Sequence, residues 1–126
     1  PALRAFMSRN TEPDGQMDKF VFEVFEESGP DTLAFLAALN SRIYNNFEQV
    51  IRHEGPPYPA EVTLGYGRGA CRDLTMLFIE ACRSVGLAAR FISGYREAEL
   101  MSGERQLHAW AEVYLPGGGW RGYDPS

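Results

Sequence analysis

Three residues of this 126-residue chain could do nucleophilic chemistry together: Cys71, His108 and Asp124. A thiolate attacks a carbonyl carbon, an imidazole takes the thiol proton, and a carboxylate holds the imidazole in the needed tautomer and orientation. Residues 69–84, Gly-Ala-Cys-Arg-Asp-Leu-Thr-Met-Leu-Phe-Ile-Glu-Ala-Cys-Arg-Ser, carry Cys71 from a glycine-rich lead-in (Gly65, Gly67, Gly69) to the start of a helical pattern. The first N–H groups of a helix have no intrahelical partner and the dipole is positive there, so an anion is favoured. A cysteine in that place is a candidate nucleophile. Each residue alone has a plainer reading. Cys71 would be a small buried apolar residue, His108 a strand-end histidine with satisfied hydrogen bonds, and Asp124 part of an Asp-Pro turn. The three plain readings holding together, in this order and context, is the less favoured alternative.

The elements that must position these residues are legible in outline. Leu74, Leu77, Phe78, Ala81, Cys82 and Val85 follow the i, i+3, i+4 spacing of a helix buried on one face, with Cys71 on that side and Gly86 as its C′ residue. Residues 88–95 read as a strand. Residues 108–115 read as the clearest strand, with His108, Trp110, Glu112 and Tyr114 on one face and small or aliphatic residues on the other. Pro116-Gly117-Gly118-Gly119 is a turn, and 120–124 return antiparallel. Parity then matters: a four-residue loop pairs Ala111 with Asp124 and puts the carboxylate on the wrong face. A three- or five-residue loop brings Asp124 opposite Trp110 or Glu112, on the His108 face, and the glycines permit either.

Upstream, residues 1–18 read as an arm or short helix followed by a loop, and Lys19–Phe25 as a helix turn or a strand. Asp31 is an N-cap for a helix from Thr32 to about Val50. Residues 55–69 form a connector with few apolar anchors, and the length of that loop suggests function. His53, just before it, is expected in solvent, and residues 96–106 form a charged loop. Asp73 is given a structural role, capping the helix or pairing with Arg72 or Arg90, and Arg90 should pair with a carboxylate. Helices come first, then a helix feeding an antiparallel sheet, which predicts an α+β fold.

Composition narrows the rest. At 44% hydrophobic and 13% aromatic the chain has what a folded domain requires, and its length suits one domain over 1–126. A net charge of -5 argues against nucleic acid or an anionic membrane as partner. No apolar run approaches the roughly 20 residues of a bilayer span. Cys71 and Cys82, if on one helix, lie about 16 Å apart at 1.5 Å per residue, beyond disulfide reach. Reduced thiols fit a cytoplasmic setting. With two histidines, no Cys-x-x-Cys and no His-Glu-x-x-His, neither a metal nor another cofactor is expected. The start at Pro1 and the end at Asp124-Pro125-Ser126 read as an excised piece of a longer protein.

Residues 69–73 (Gly-Ala-Cys-Arg-Asp), 82–95 (Cys-Arg-Ser-Val-Gly-Leu-Ala-Ala-Arg-Phe-Ile-Ser-Gly-Tyr) and 108–126 (His-Ala-Trp-Ala-Glu-Val-Tyr-Leu-Pro-Gly-Gly-Gly-Trp-Arg-Gly-Tyr-Asp-Pro-Ser) closely resemble the core of bacterial transglutaminase-like proteins. The match is dense over 65–126, and the helix at 32–50 suits it. The resemblance implies a papain-like architecture with N-terminal helices and a catalytic helix packed on an antiparallel sheet. Cys71 would be nucleophile, His108 general base and Asp124 the orienting carboxylate. Implied with them is acyl transfer or hydrolysis on peptide or glutamine amides through a thioester, hydrolysis being favoured slightly, with a protein or peptide as substrate. The Cys71 backbone N–H would be one oxyanion donor. Tyr58 or Tyr66 would supply a second, unless both simply pack over the helix start. Trp110 would wall the site, unless it is core. Family members commonly carry a β-rich domain before this core and residues after Asp-Pro; both are missing here, so the cleft is expected to be incomplete. The alternatives are a non-catalytic protein- or peptide-binding module keeping the fold, or a structural domain.

Overall fold

The structure, a computed structural model, describes residues 3–52, 55–95 and 107–126. His53 and the 96–106 segment, for which a solvent-exposed site and a charged loop were expected, lie outside those residues. The element order is a short 3-10 helix (Arg4–Phe6), α1 (Gln16–Ser28), α2 (Thr32–Asn46), β1 (Glu48–Gln49), α3 (Ala60–Tyr66), β2 (Arg68–Gly69), α4 (Cys71–Ser84), β3 (Ala89–Tyr95), β4 (Leu107–Leu115) and β5 (Gly119–Tyr123). Helices pack on an antiparallel sheet of order β3-β4-β5, the expected α+β arrangement. Among the described residues no helix is long and apolar enough to cross a membrane.

At the centre lies α4. Leu74, Leu77, Phe78, Ala81 and Cys82 are buried as their spacing predicts, but so are Thr75, Ile79 and Glu80. The helix touches α1, α2, α3, β3 and β4, so one apolar stripe is too narrow a description. It ends as its sequence predicts. Gly86 takes φ +83, its N–H reaching the Arg83 carbonyl at 3.1 Å and the Leu87 N–H the Cys82 carbonyl at 3.0 Å, the pattern of a Schellman cap.

Lys19–Phe25, open between helix and strand, belongs to α1: Met17, Phe20, Val21 and Val24 are its buried face, at helical spacing. Asp31 caps α2, its Oδ2 accepting the Ala34 N–H at 2.9 Å.

Two expectations fail upstream of Cys71. The helix from Thr32 stops at Asn46 rather than near Val50, because Phe47 turns extended (φ -113, ψ 134). Its ring meets Phe20 edge to face at 6.1 Å, while the Glu48 and Val50 N–H groups bond the Gly67 and Gly69 carbonyls, each at 3.0 Å. Long-range parallel pairing of β1 with β2 thus overrides helical periodicity. The 55–69 connector is not a plain loop either. It holds α3, anchored by buried Ala60 and Thr63 and closed by Gly67 at φ +70. With prolines before it, Gly65 inside it and a threonine at a core position, α3 shows no apolar stripe to read.

Gly69 is a close-approach position. A Cβ there would stand 2.7 Å from Asp73 Cβ and 3.3 Å from Thr63 Cγ2. Gly69→Ala should therefore cost about 1–3 kcal/mol by overpacking. Urea unfolding reads this as a lower midpoint, and an unchanged midpoint would contradict the close approach.

Candidate active site

The candidate residues stand on α4, on β4 and just after β5. On β4 the core face is small: Ala109, Ala111 and Val113 are at most 3% exposed. That lets α4 lie close, and Thr75 Oγ1 donates to the Ala109 carbonyl at 3.3 Å. The bond ties the helix, one turn after Cys71, to the residue that follows His108. Cys71 itself is half-buried at the first position of α4.

The hairpin has three loop residues, 116–118, and pairs Leu115 with Gly119 and Ala111 with Tyr123. Pro116 and Gly117 make a tight turn closed by the Gly118 N–H on the Leu115 carbonyl at 2.8 Å. Gly117 at φ +84 fits the third position of a type II turn. Continuing the register sets Asp124 opposite Trp110, the odd-loop outcome that places it on His108's face. His108 Nε2 is 2.7 Å from Asp124 Oδ2. The other carboxylate oxygen accepts from Ser126 N–H at 3.1 Å and Ser126 Oγ at 3.0 Å, so the carboxylate is held on both sides.

His108 is 7% exposed although it stands on the outer face of the strand. Trp110 flanks it, the indole lying beside the imidazole with centroids 6.2 Å apart and planes 25° apart. The indole spreads over two bare positions: a Cβ at Gly94 would be 3.2 Å from Trp110 Cη2 and one at Gly122 4.0 Å from Cδ1. The plain-core alternative for Trp110 is corrected here, since it is half-exposed and flanks His108. Glycines inside strand patterns signal such close approach, and 94 and 122 were readable that way.

Tyr58 and Tyr66 pack edge to face at 6.1 Å, with the Arg52 guanidinium 4.0 Å over the Tyr58 ring and Arg68 beside Tyr66. Both rings are exposed. Arg90 bonds Glu112 across β3 and β4 at 2.7 and 2.9 Å, the expected carboxylate pairing. Asp73 pairs with neither Arg72 nor Arg90 but with Arg52 Nη2 at 2.5 Å. It also caps, its Oδ2 accepting the Ala70 N–H at 2.9 Å. Arg52 belongs to no sequence motif, and only the fold brings it to Asp73.

Both cysteines are free. Cys82 is fully buried and burial pushes its thiol well above the ordinary range. Iodoacetamide at neutral pH should therefore label Cys71 at least about tenfold faster than Cys82, by peptide mass mapping. Equal slow labelling would count against an activated Cys71.

The family model for the transglutaminase-like superfamily matches residues 18–125. An uncharacterized protein of Mycobacterium bovis is 32% identical over 101 residues, covering 72% of this chain and 32% of the relative. Another, from Mycobacterium leprae, is 38% identical over 64 residues, covering 47% of this chain and 22% of the relative. The chain therefore spans a third or less of those relatives' length. Among solved structures, a protein of Cytophaga hutchinsonii named as a "Putative Cysteine Protease" superposes with TM-score 0.76 at 27% identity, over 98% of this chain and 42% of that one. The periplasmic domain of TgpA from Pseudomonas aeruginosa, bound to ethylmercury, superposes with TM-score 0.73 at 22% identity, over 98% of this chain and 48% of that one, a likeness of fold.

Proposed function

Because this chain belongs to the transglutaminase-like superfamily, we propose that it is a thiol enzyme acting on peptide or glutamine amides, with Cys71 as nucleophile. The observation that carries this reading is the 2.7 Å contact between His108 Nε2 and Asp124 Oδ2. It joins a base and its orienting carboxylate, sixteen residues apart, on the sheet that packs against the Cys71 helix. With Nε2–H donating to Asp124, the other ring nitrogen, Nδ1, is the base.

Cys71 Sγ bonds the carbonyl carbon as its proton passes to Nδ1. Negative charge collects on the carbonyl oxygen, where the Cys71 N–H at the start of α4 can donate. The tetrahedral species collapses as imidazolium returns the proton to the leaving ammonia or amine, leaving a thioester on Cys71. Water or a second amine, deprotonated by His108, then takes the acyl group and frees the thiol. Asp124 stabilises the imidazolium throughout. Trp110 limits water at His108. We favour hydrolysis over cross-linking, and the tyrosines at 58 and 66 are assigned to the substrate side of the cleft.

Intact mass after incubation with a glutamine peptide, with and without added amine, tests this. A deamidated or cleaved peptide supports hydrolysis, and an amine-adducted peptide supports transfer. Neither product, from a folded chain, would point instead to a non-catalytic module of the same fold.

A further inference from the structure

Asp73 is wholly buried two residues after Cys71. Its Oδ2 holds the Ala70 N–H at 2.9 Å. Its Oδ1 holds the Tyr58 N–H at 2.8 Å, so one carboxylate fixes both the residue before Cys71 and the connector facing it. This bracing has an electrostatic cost, since it brings a negative charge to the helix end that should favour a thiolate. Arg52 meets that charge at 2.5 Å. The guanidinium is itself locked, with Nη1 and Nη2 each 3.2 Å from the Pro56 carbonyl and its face 4.0 Å over the Tyr58 ring. A planar fork is needed for that set of contacts, and lysine could not make it.

We propose that Arg52 and Asp73 are a positioning pair: Asp73 braces the Cys71 turn, and Arg52 cancels the carboxylate's charge so that it does not oppose the thiolate. This rests on reading Cys71 as the nucleophile. Among the described residues, the other charged or titratable groups on the elements around the α4 start are Glu48 on β1, Tyr58 before α3, Tyr66 on α3, Arg68 on β2 and Arg72 on α4, with His108 from β4 and Asp124 after β5. None of them is changed by the test below.

The test is the pH profile of Cys71 alkylation in Arg52→Gln, Asp73→Asn and the double variant. An uncompensated charge beside the first turn of the helix moves a neighbour's titration by about one pH unit. Arg52→Gln should raise the midpoint by about that much, Asp73→Asn should lower it, and the double variant should return to within a few tenths of the parent. A purely structural role would shift both single variants in one direction, and that result, or no shift in either, overturns the proposal. Cys82 reports folding in the same tube, because it is 0% exposed and labels only on opening. If Arg52→Gln opens the fold, Asp73→Asn decides alone: a lowered midpoint supports the pair, and an unchanged or raised one overturns it. A parent midpoint in the ordinary thiol range would count against the proposed nucleophile, while the differences between variants still test the pair.

Discussion

Cys71→Ala is expected to abolish thioester formation and to lower turnover of a glutamine or peptide amide by at least about a thousandfold. No second thiol can replace it, because Cys82 is fully buried in the core and its thiol is held neutral by burial. The loss should not come from unfolding. Cys71 is half-buried at the first helical position, and alanine suits that place, so stability should move by less than about 1 kcal/mol. The measurement is mass detection of the acyl-enzyme beside a urea melt. Parent-level turnover by Cys71→Ala would remove Cys71 from the mechanism altogether.

Phe78→Ala should have the largest effect on the fold, about 3–5 kcal/mol. Phe78 is completely buried on the central helix, and its ring stacks on Tyr123 with centroids 5.4 Å apart. Tyr123 immediately precedes Asp124, so the cavity would open beneath the carboxylate that holds His108. Activity should therefore fall further than the folded fraction does, and Phe78→Leu, which keeps most of the volume, should recover much of both. Urea unfolding and amidase rate on the same samples check this. A loss below about 1 kcal/mol would mean that the site does not rest on this packing.

Much of the site was readable because its signals are local. The Cys71 helix shows its stripe and its Gly86 stop, and β4 shows its alternation. Asp31 shows its cap. The hairpin was readable only up to a choice. Pro116 and three glycines suit several loops, and a single residue of loop length moves Asp124 from one face of the sheet to the other. Trp110 was ambiguous for a related reason, since an indole on a strand fits either the core or a bare glycine surface, and the neighbours at 94 and 122 decide which. The helix end at Asn46 and α3 were not legible. One is set by pairing with a strand some twenty residues away, and the other carries a buried threonine where an apolar residue would have declared it.

By itself the sequence determined the fold class, the placing of Cys71 at a helix start, and the candidacy of His108 and Asp124. Each is written in spacing within a turn or a strand, where backbone geometry alone dictates which side chains share a face. Tertiary structure alone decided that the loop is odd, that Asp124 meets His108, and that Arg52 rather than Arg72 or Arg90 answers Asp73. Those contacts join segments distant in the chain, and such pairings are selected by the packing of the whole core around α4, which no local pattern encodes.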